Sequence, residues 1–249
     1  GNDSGSDAER EVFTVKQENQ HSRKKRADIL LVGIGGGGGN ALGRMVDAGR
    51  LSDRVDALAM NTDMSSLILH KSRGVKILQL GERLCLGRGS WADPKLGQGA
   101  MQESKEQVCA AVQGYSMVIL IACLGGGTGT GGTPVLAGWL REMKIPHRIV
   151  AQIPFRFEGS KKTERAHGVL EQLRQAGECV REVEGTEIRE TAHAMGIEKF
   201  TLLNCFDAAD QVIAQHVEEL LAEMGAADRR RNPCTPVNDC TGSVRGGVL

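Results

Sequence analysis

The sequence predicts an α/β protein: a parallel sheet covered by helices on both faces, ending in one long helix. Three observations predict it. From Ala27 onward, short apolar runs alternate with longer segments of helical periodicity. The runs are mostly apolar rather than strictly alternating apolar and polar, as expected of strands buried on both sides. Several are cut off by glycines, which let the backbone turn sharply as it leaves a strand. Such sheets bind ligands beyond the carboxyl ends of their strands.

The elements follow in order. Residues 1–26 are polar and charged and read as a flexible tail. The tail ends in Arg23-Lys24-Lys25-Arg26, which suits either contact with an acidic or membrane surface or a merely solvated flank. Ile29 to Val32 is a buried strand stopped by glycines, and Asn40 to Ala48 a helix with Ala41, Leu42, Met45 and Val46 on one face. Val55 to Met60 is a second strand, after which Asp63 is placed to cap a helix through Leu69. Val75 to Leu80 is a third strand, followed by a loop of about 17 residues and a helix from Gln98 to Val112. Met117 to Cys123 is the most apolar strand, again ended by glycines. Pro134 to Met143 reads as a helix with proline in its first turn. Arg148 to Ile153 is a strand and Lys161 to Gln175 a helix, while the segment to Phe200 fits no single pattern. Leu203 to Met224 is one long helix, and residues 225–249 read as an irregular tail.

Composition bounds the function. The 249 residues carry 31 Lys+Arg against 31 Asp+Glu, so bulk nucleic acid is not the expected partner. Aromatics at 3% argue against a stacking platform for single strands. Seven cysteines, an odd number without a C-x-x-C pair or zinc spacing, read as core thiols of a cytoplasmic protein. No apolar run reaches the length of a membrane-spanning helix, and the N-terminus is not a secretory signal. The first residue is glycine, so the sequence reads as a fragment or a processed form. The 33 glycines are the anomaly, well above the usual share of about 7%.

They cluster in two loops. Gly33-Ile34-Gly35-Gly36-Gly37-Gly38-Gly39 follows the first strand and opens a helix, satisfying the G-x-G-x-x-G spacing. Backbone N–H groups there can face a phosphate, and the helix N-terminus adds partial positive charge. Alone, this loop suits NAD, with Asp63 a loose match to the expected acidic residue. The second loop, Gly125-Gly126-Gly127-Thr128-Gly129-Thr130-Gly131-Gly132, follows the fourth strand and builds another nest of donors. Two cradles on one sheet edge suit a chain of two or three phosphates. No G-x-x-x-x-G-K-[ST] is present, so no Walker lysine meets the charge.

The loop GGGTGTG at 125–131 resembles the signature of the tubulin/FtsZ family. VGIGGGGGNAL at 32–42, NTD at 61–63, LGRGSWADPKLG at 86–97, PFRFEG at 154–159 and FDAADQVIAQHV at 206–217 resemble FtsZ in the same order. The resemblance covers residues 27–224 and implies the family's Rossmann-like, three-layer GTP-binding domain. It implies that Gly35, Gly36, Gly37, Gly38, Gly39 and Asn40 hold the α- and β-phosphates. Gly125, Gly126, Gly127, Thr128, Gly129, Thr130 and Gly131 would wrap them from the other side. Asn61 and Asp63 would lie near the phosphate and a Mg2+ ion, although Asp63 also fits a plain helix cap. Glu158 would contact the ribose, with Lys162 standing for the family's arginine. Phe206 would stack on the base and Asp210 accept from guanine N1 and N2, donors that adenine lacks, so GTP and GDP are the expected ligands. Without the resemblance Phe206 fits an ordinary core position equally well.

The sequence departs from the family pattern in places. Trp91 stands where glycine is usual and Asp93 where asparagine is usual, and both should weaken contact with a γ-phosphate. The stretch Ser160-Lys161-Lys162 is one residue short, and Gly185-Thr186 offers no base-contacting asparagine. Residues 225–249 hold Asn238-Asp239 but no N-x-D-x-x-D, the acidic loop by which one family subunit completes the active site of the next, and the family's second domain is missing. The expected function is therefore that of a cytoskeletal GTPase domain assembling head to tail in cell division or septation, cytoplasmic and at the division site. This chain alone should bind nucleotide with little self-stimulated hydrolysis, and no catalytic or metal-ligating residue is assigned. The alternatives are a modulator or cap of full-length FtsZ filaments, and an NAD-binding enzyme.

Overall fold

In the computed structural model, which describes residues 27–199 and 201–228, six strands form one wholly parallel sheet in the order β3-β2-β1-β4-β5-β6. In chain order the elements are β1 (Ile29–Ile34), α1 (Gly35–Asp47), β2 (Val55–Asn61), α2 (Met64–Ser72), β3 (Lys76–Gln79), α3 (Glu82–Cys85), α4 (Pro94–Glu103), α5 (Lys105–Val112) and β4 (Met117–Cys123). There follow α6 (Thr128–Glu142), β5 (His147–Gln152), a 3-10 turn (Arg156–Glu158), α7 (Ser160–Gln175), β6 (Val180–Val183), α8 (Gly185–Ala194) and α9 (Leu202–Asp228). The three-layer expectation holds. The basic run 23–26, Cys234, Cys240 and Asn238-Asp239 lie outside the described residues.

Strand periodicity divides the core. Leu30, Val32 and Ile34 of β1, with Leu120 and Ala122 of β4, face Met101, Val108, Leu136, Leu140 and Leu170 of α4 to α7. Leu31 of β1, Ile119 and Ile121 of β4 and Val150 of β5 face the other layer: Leu42 and Met45 of α1, Leu67 of α2, and α9. Helix α9 buries Ala208, Ala209, Val212, Ile213, Val217 and Leu220, a stripe at helical spacing. Each large side chain so buried stabilises the fold by about 1.5–3 kcal/mol. Register aligns the strand ends, since Ile34 of β1 lies opposite both Met60 of β2 and Ala122 of β4. Cys123 of β4 lies opposite Gln152 of β5. The loops after β1, β2, β4 and β5 therefore leave the sheet along one rim.

Several boundaries differ from the sequence reading, each for a packing reason. Helix α1 starts at Gly35 rather than Asn40, so most of the glycine loop is itself the first turns of a helix. Glycine's poor propensity is overridden because no side chain fits there: a Cβ on Gly38 would lie 2.2 Å from the Ile121 carbonyl oxygen. Helix α6 likewise starts at Thr128, which places Pro134 inside the helix rather than in its first turn. The expected helix 98–112 is two, α4 and α5, parted at Ser104, whose hydroxyl is diverted to accept the Gly81 N–H at 2.9 Å. The unassigned segment before Phe200 supplies β6 and α8. Strand β6 is an edge strand and mostly half-buried, so its residues carry neither a full apolar run nor a clean alternation.

Candidate functional site

Two helices begin side by side at the rim. Gly35 has φ 74°, and a Cβ there would stand 2.9 Å from the Gly129 backbone nitrogen. A Cβ on Gly129 would meet the carbonyl oxygens of Cys123 at 2.9 Å and Ile34 at 3.2 Å. The two glycine loops are thus in direct contact, and only glycine permits it. Neither α1 nor α6 has a side-chain cap or an acidic residue in its first turn. On the same rim, Asp63 caps α2 by accepting from Ser65 N at 2.9 Å, and Asp93 caps α4 by accepting from Lys95 N at 2.9 Å. The two uncapped N-termini converge and present backbone N–H groups and dipole charge at the rim.

The predicted residues divide by what they can offer. Gly36 and Asn40 are exposed, Gly37 and Gly126 half-buried. Neither Gly36 nor Gly126 has any atom near where a Cβ would stand, so their space opens outward. The hydroxyls of Thr128 and Thr130 are already engaged inside the protein. Thr130 Oγ1 accepts the Gly125 N–H at 2.8 Å, and Thr128 Oγ1 lies 2.7 Å from Thr62 Oγ1 and 2.9 Å from Ser90 Oγ. This buried hydroxyl trio fastens together the loops after β2, α3 and β4. Asn61 is buried and its Oδ1 accepts the Thr62 N–H at 2.8 Å. Behind the glycine helix sits His70, buried and with no hydrogen-bond partner on either ring nitrogen among the described residues. Its Nε2 would be 2.8 Å from a Cβ on Gly39, so the ring packs directly behind the loop. Burial, and then Arg73, push its pKa down.

Along the rim, Glu158 accepts the Phe155 N–H at 3.0 Å and pairs with Lys162 at 3.3 Å. Phe206, 39% exposed, stands edge-on to Phe155 at 5.5 Å between centroids and to Phe157 at 6.4 Å, while Phe155 and Phe157 stack. It is therefore not a closed core residue. Its neighbour one turn on, Asp210, has a side chain 12% exposed and pairs with Arg44 Nε of α1 at 2.8 Å. Burial, and to a lesser extent Asp207, push the Asp210 carboxyl up to about 6 against the pull of Arg44. Burial raises the nearby Cys123 thiol, with Asp210 and Glu158 adding to the effect, so it stays protonated. The loop containing Trp91 is held by Arg165, which donates to the Ala92 carbonyl at 3.0 Å. Trp91 has φ 51° and Ala92 φ 57°, a region that favours glycine, and the indole is 77% exposed. Arg44, Phe155, Phe157 and the trio Thr62, Ser90 and Thr128 are site features that sequence reasoning did not assemble.

A sequence model described as "Tubulin/FtsZ family, GTPase domain" matches residues 28–191. The chain belongs to the tubulin/FtsZ family. Among solved structures, an empty FtsZ dimer from M. jannaschii is 31% identical with a TM-score of 0.68, the match covering 87% of this chain and 59% of that one. CetZ2 from Haloferax volcanii, a GTPγS-bound protofilament, is 28% identical with a TM-score of 0.65, covering 78% of this chain and 58% of that one. TubZ of Clostridium botulinum phage c-st, 22% identical with a TM-score of 0.55 and covering 70% of this chain and 56% of that one, shares the fold. The tubulin/FtsZ chain described here thus spans about three fifths of the length of these structures. The family match ends before α9. No helix among the described residues is long and apolar enough to cross a membrane.

Proposed function

We propose that the rim binds a guanine nucleotide. Its phosphates lie between the N-termini of α1 (Gly35 to Asn40) and α6 (Gly125 to Gly131), its ribose by Glu158 and Lys162, and its base between Phe206 and Asp210. The observation that carries this reading is the contact of two uncapped, glycine-rich helix starts, which supply fixed N–H donors where a polyphosphate needs them. A single pyrophosphate, as in NAD, requires only one such start. The half-exposed ring of Phe206 and the acceptor-only carboxylate of Asp210 suit a purine that offers two adjacent N–H donors, which guanine does and adenine does not.

Among the described residues no group of three His, Cys, Asp or Glu stands together as a metal cage. A Mg2+ ion would be held chiefly by phosphate oxygens. The domain reading is a nucleotide-binding unit over residues 27–224, with head-to-tail assembly and a role in division as its setting. Residues 225–249 contain no N-x-D-x-x-D, which supports nucleotide binding without self-stimulated hydrolysis by this chain. Calorimetric titration with GDP, GTP, ATP and NAD tests the reading. GDP and GTP should bind one to one, with ATP and NAD weaker by at least about a hundredfold. Equal binding of ATP, or no guanine-nucleotide binding, contradicts it.

A further inference from the structure

Helix α1 contributes to the rim at more than its first turn. Arg44 lies four residues beyond Asn40, on the same side of the helix, and reaches across to α9. Its Nε bonds Asp210 Oδ2 at 2.8 Å and its Nη1 bonds Asp207 Oδ1. Two carboxylates three residues apart thus grip two different nitrogens of one planar guanidinium, which fixes its orientation as a lysine ammonium could not be fixed. The side chain of Asp210 is mostly buried, whereas Asp207 and Arg44 are about half-exposed. A carboxylate has about four acceptor positions, so a bond from Arg44 leaves enough for two further donors.

We propose that Arg44 is a positioning residue for base recognition: it holds the Asp210 carboxylate ionised and aimed at the guanine edge. This rests on the nucleotide reading above. The groups facing Asp210 make the need plain. Asp207 on its own helix repels its charge, and Cys123 at the end of β4 offers only a neutral thiol. Glu158, on the turn after β5, is a second carboxylate that bears on Cys123. Arg50 lines the same α1–α9 cleft but is engaged with Gln211 at 2.7 Å and Glu218 at 3.6 Å. Among the described residues, Arg44 is therefore the cation bonded to Asp210. Burial already lifts Asp210 to about 6. Without Arg44 its protonated form would extend into the neutral range, and a carboxylic acid cannot accept from guanine N1 and N2 together.

The test is binding of GDP, IDP (which lacks the 2-amino group) and ADP to the full chain between pH 5.5 and 8.5. Wild type, Arg44→Met, Arg44→Lys and Asp207→Asn are compared. Wild-type GDP affinity should be level above pH 7 and fall below about pH 6. In Arg44→Met that fall should begin at least about one unit higher, costing about tenfold at pH 6.5 but only two- to threefold above pH 8. Arg44→Lys, which keeps the charge but not the fork, should return the fall to near its wild-type pH while leaving the two- to threefold loss above pH 8. Asp207→Asn should move the fall in the opposite direction, to lower pH, and serves if Arg44→Met does not fold. An unchanged pH profile in Arg44→Met or Asp207→Asn, or an equal loss at every pH, overturns the role of Arg44 while leaving the nucleotide site standing. A wild type that does not prefer GDP to ADP overturns both.

Discussion

Asp210 shows how a single residue can be set against its own fold. Its carboxyl is held at about 6, above its usual range, chiefly by burial. An acid whose folded pKa lies above its unfolded value takes stability away as pH rises from about 4 through about 6, and the full cost persists above that. Asp210→Asn should therefore raise the thermal stability of the nucleotide-free chain at pH 7.5, by about 1–2 kcal/mol, with the gain shrinking as pH falls toward 4. The same substitution should abolish the preference for GDP over ADP, because an amide presents a donor where guanine requires an acceptor. Thermal melts at several pH values, read beside nucleotide titrations, check both halves. A loss of stability at pH 7.5 would show that the ion pair with Arg44 outweighs burial. Phe206 and Asp210 came to notice through the resemblance of FDAADQVIAQHV to the family, since their spacing alone shows only that they share a helix face. Arg44 was not, because its significance comes from contacts to residues more than 160 positions away.

At the scale of elements, the sequence read well wherever burial dominates. Strands β1 and β4 are apolar runs with clear stops, and α9 carries a sustained stripe. It read poorly wherever packing overrides propensity. The starts of α1 and α6 lie within glycine-rich runs that no periodicity marks, and adjacent backbones approach too closely there for a Cβ at Gly35, Gly38 or Gly129. This separates two kinds of glycine. At Gly38 a methyl group would lie 2.2 Å from the Ile121 carbonyl oxygen, so Gly38→Ala should destabilise by about 2–3 kcal/mol or prevent folding. At Gly36 a methyl group meets nothing within 4 Å, so Gly36→Ala should leave stability within about 1 kcal/mol of wild type. It should still weaken GDP binding about tenfold, since the methyl group stands where a phosphate must approach the backbone. Denaturant melts and GDP titrations of the two variants distinguish the roles. A Gly36→Ala variant that binds GDP as well as wild type would remove this helix start from the site.

The whole molecule is a sheet whose register brings four loops to one rim, where long-range contacts assemble the site. The loops after β1 and β4 touch through glycine, and the hydroxyls of Thr62, Ser90 and Thr128 tie in the loops after β2 and α3. Helix α9 brings the proposed base contacts from the far end of the chain. The family could be read from motif order alone, but the aromatic grouping of Phe155, Phe157 and Phe206 could not, because it joins segments about 50 residues apart. At this scale, specific GTPase activity should stay low and flat as protein concentration rises. A cooperative increase would mean that copies of this chain complete one another's sites. The most direct measurement of the central claim is an experimental structure of the chain with GDP bound. The account predicts density for both phosphates between Gly36 to Asn40 and Gly126 to Thr130, with the purine beside Phe206 and an oxygen of Asp210 at its N1–N2 edge. Phosphates elsewhere on the molecule, or a base away from α9, would contradict it.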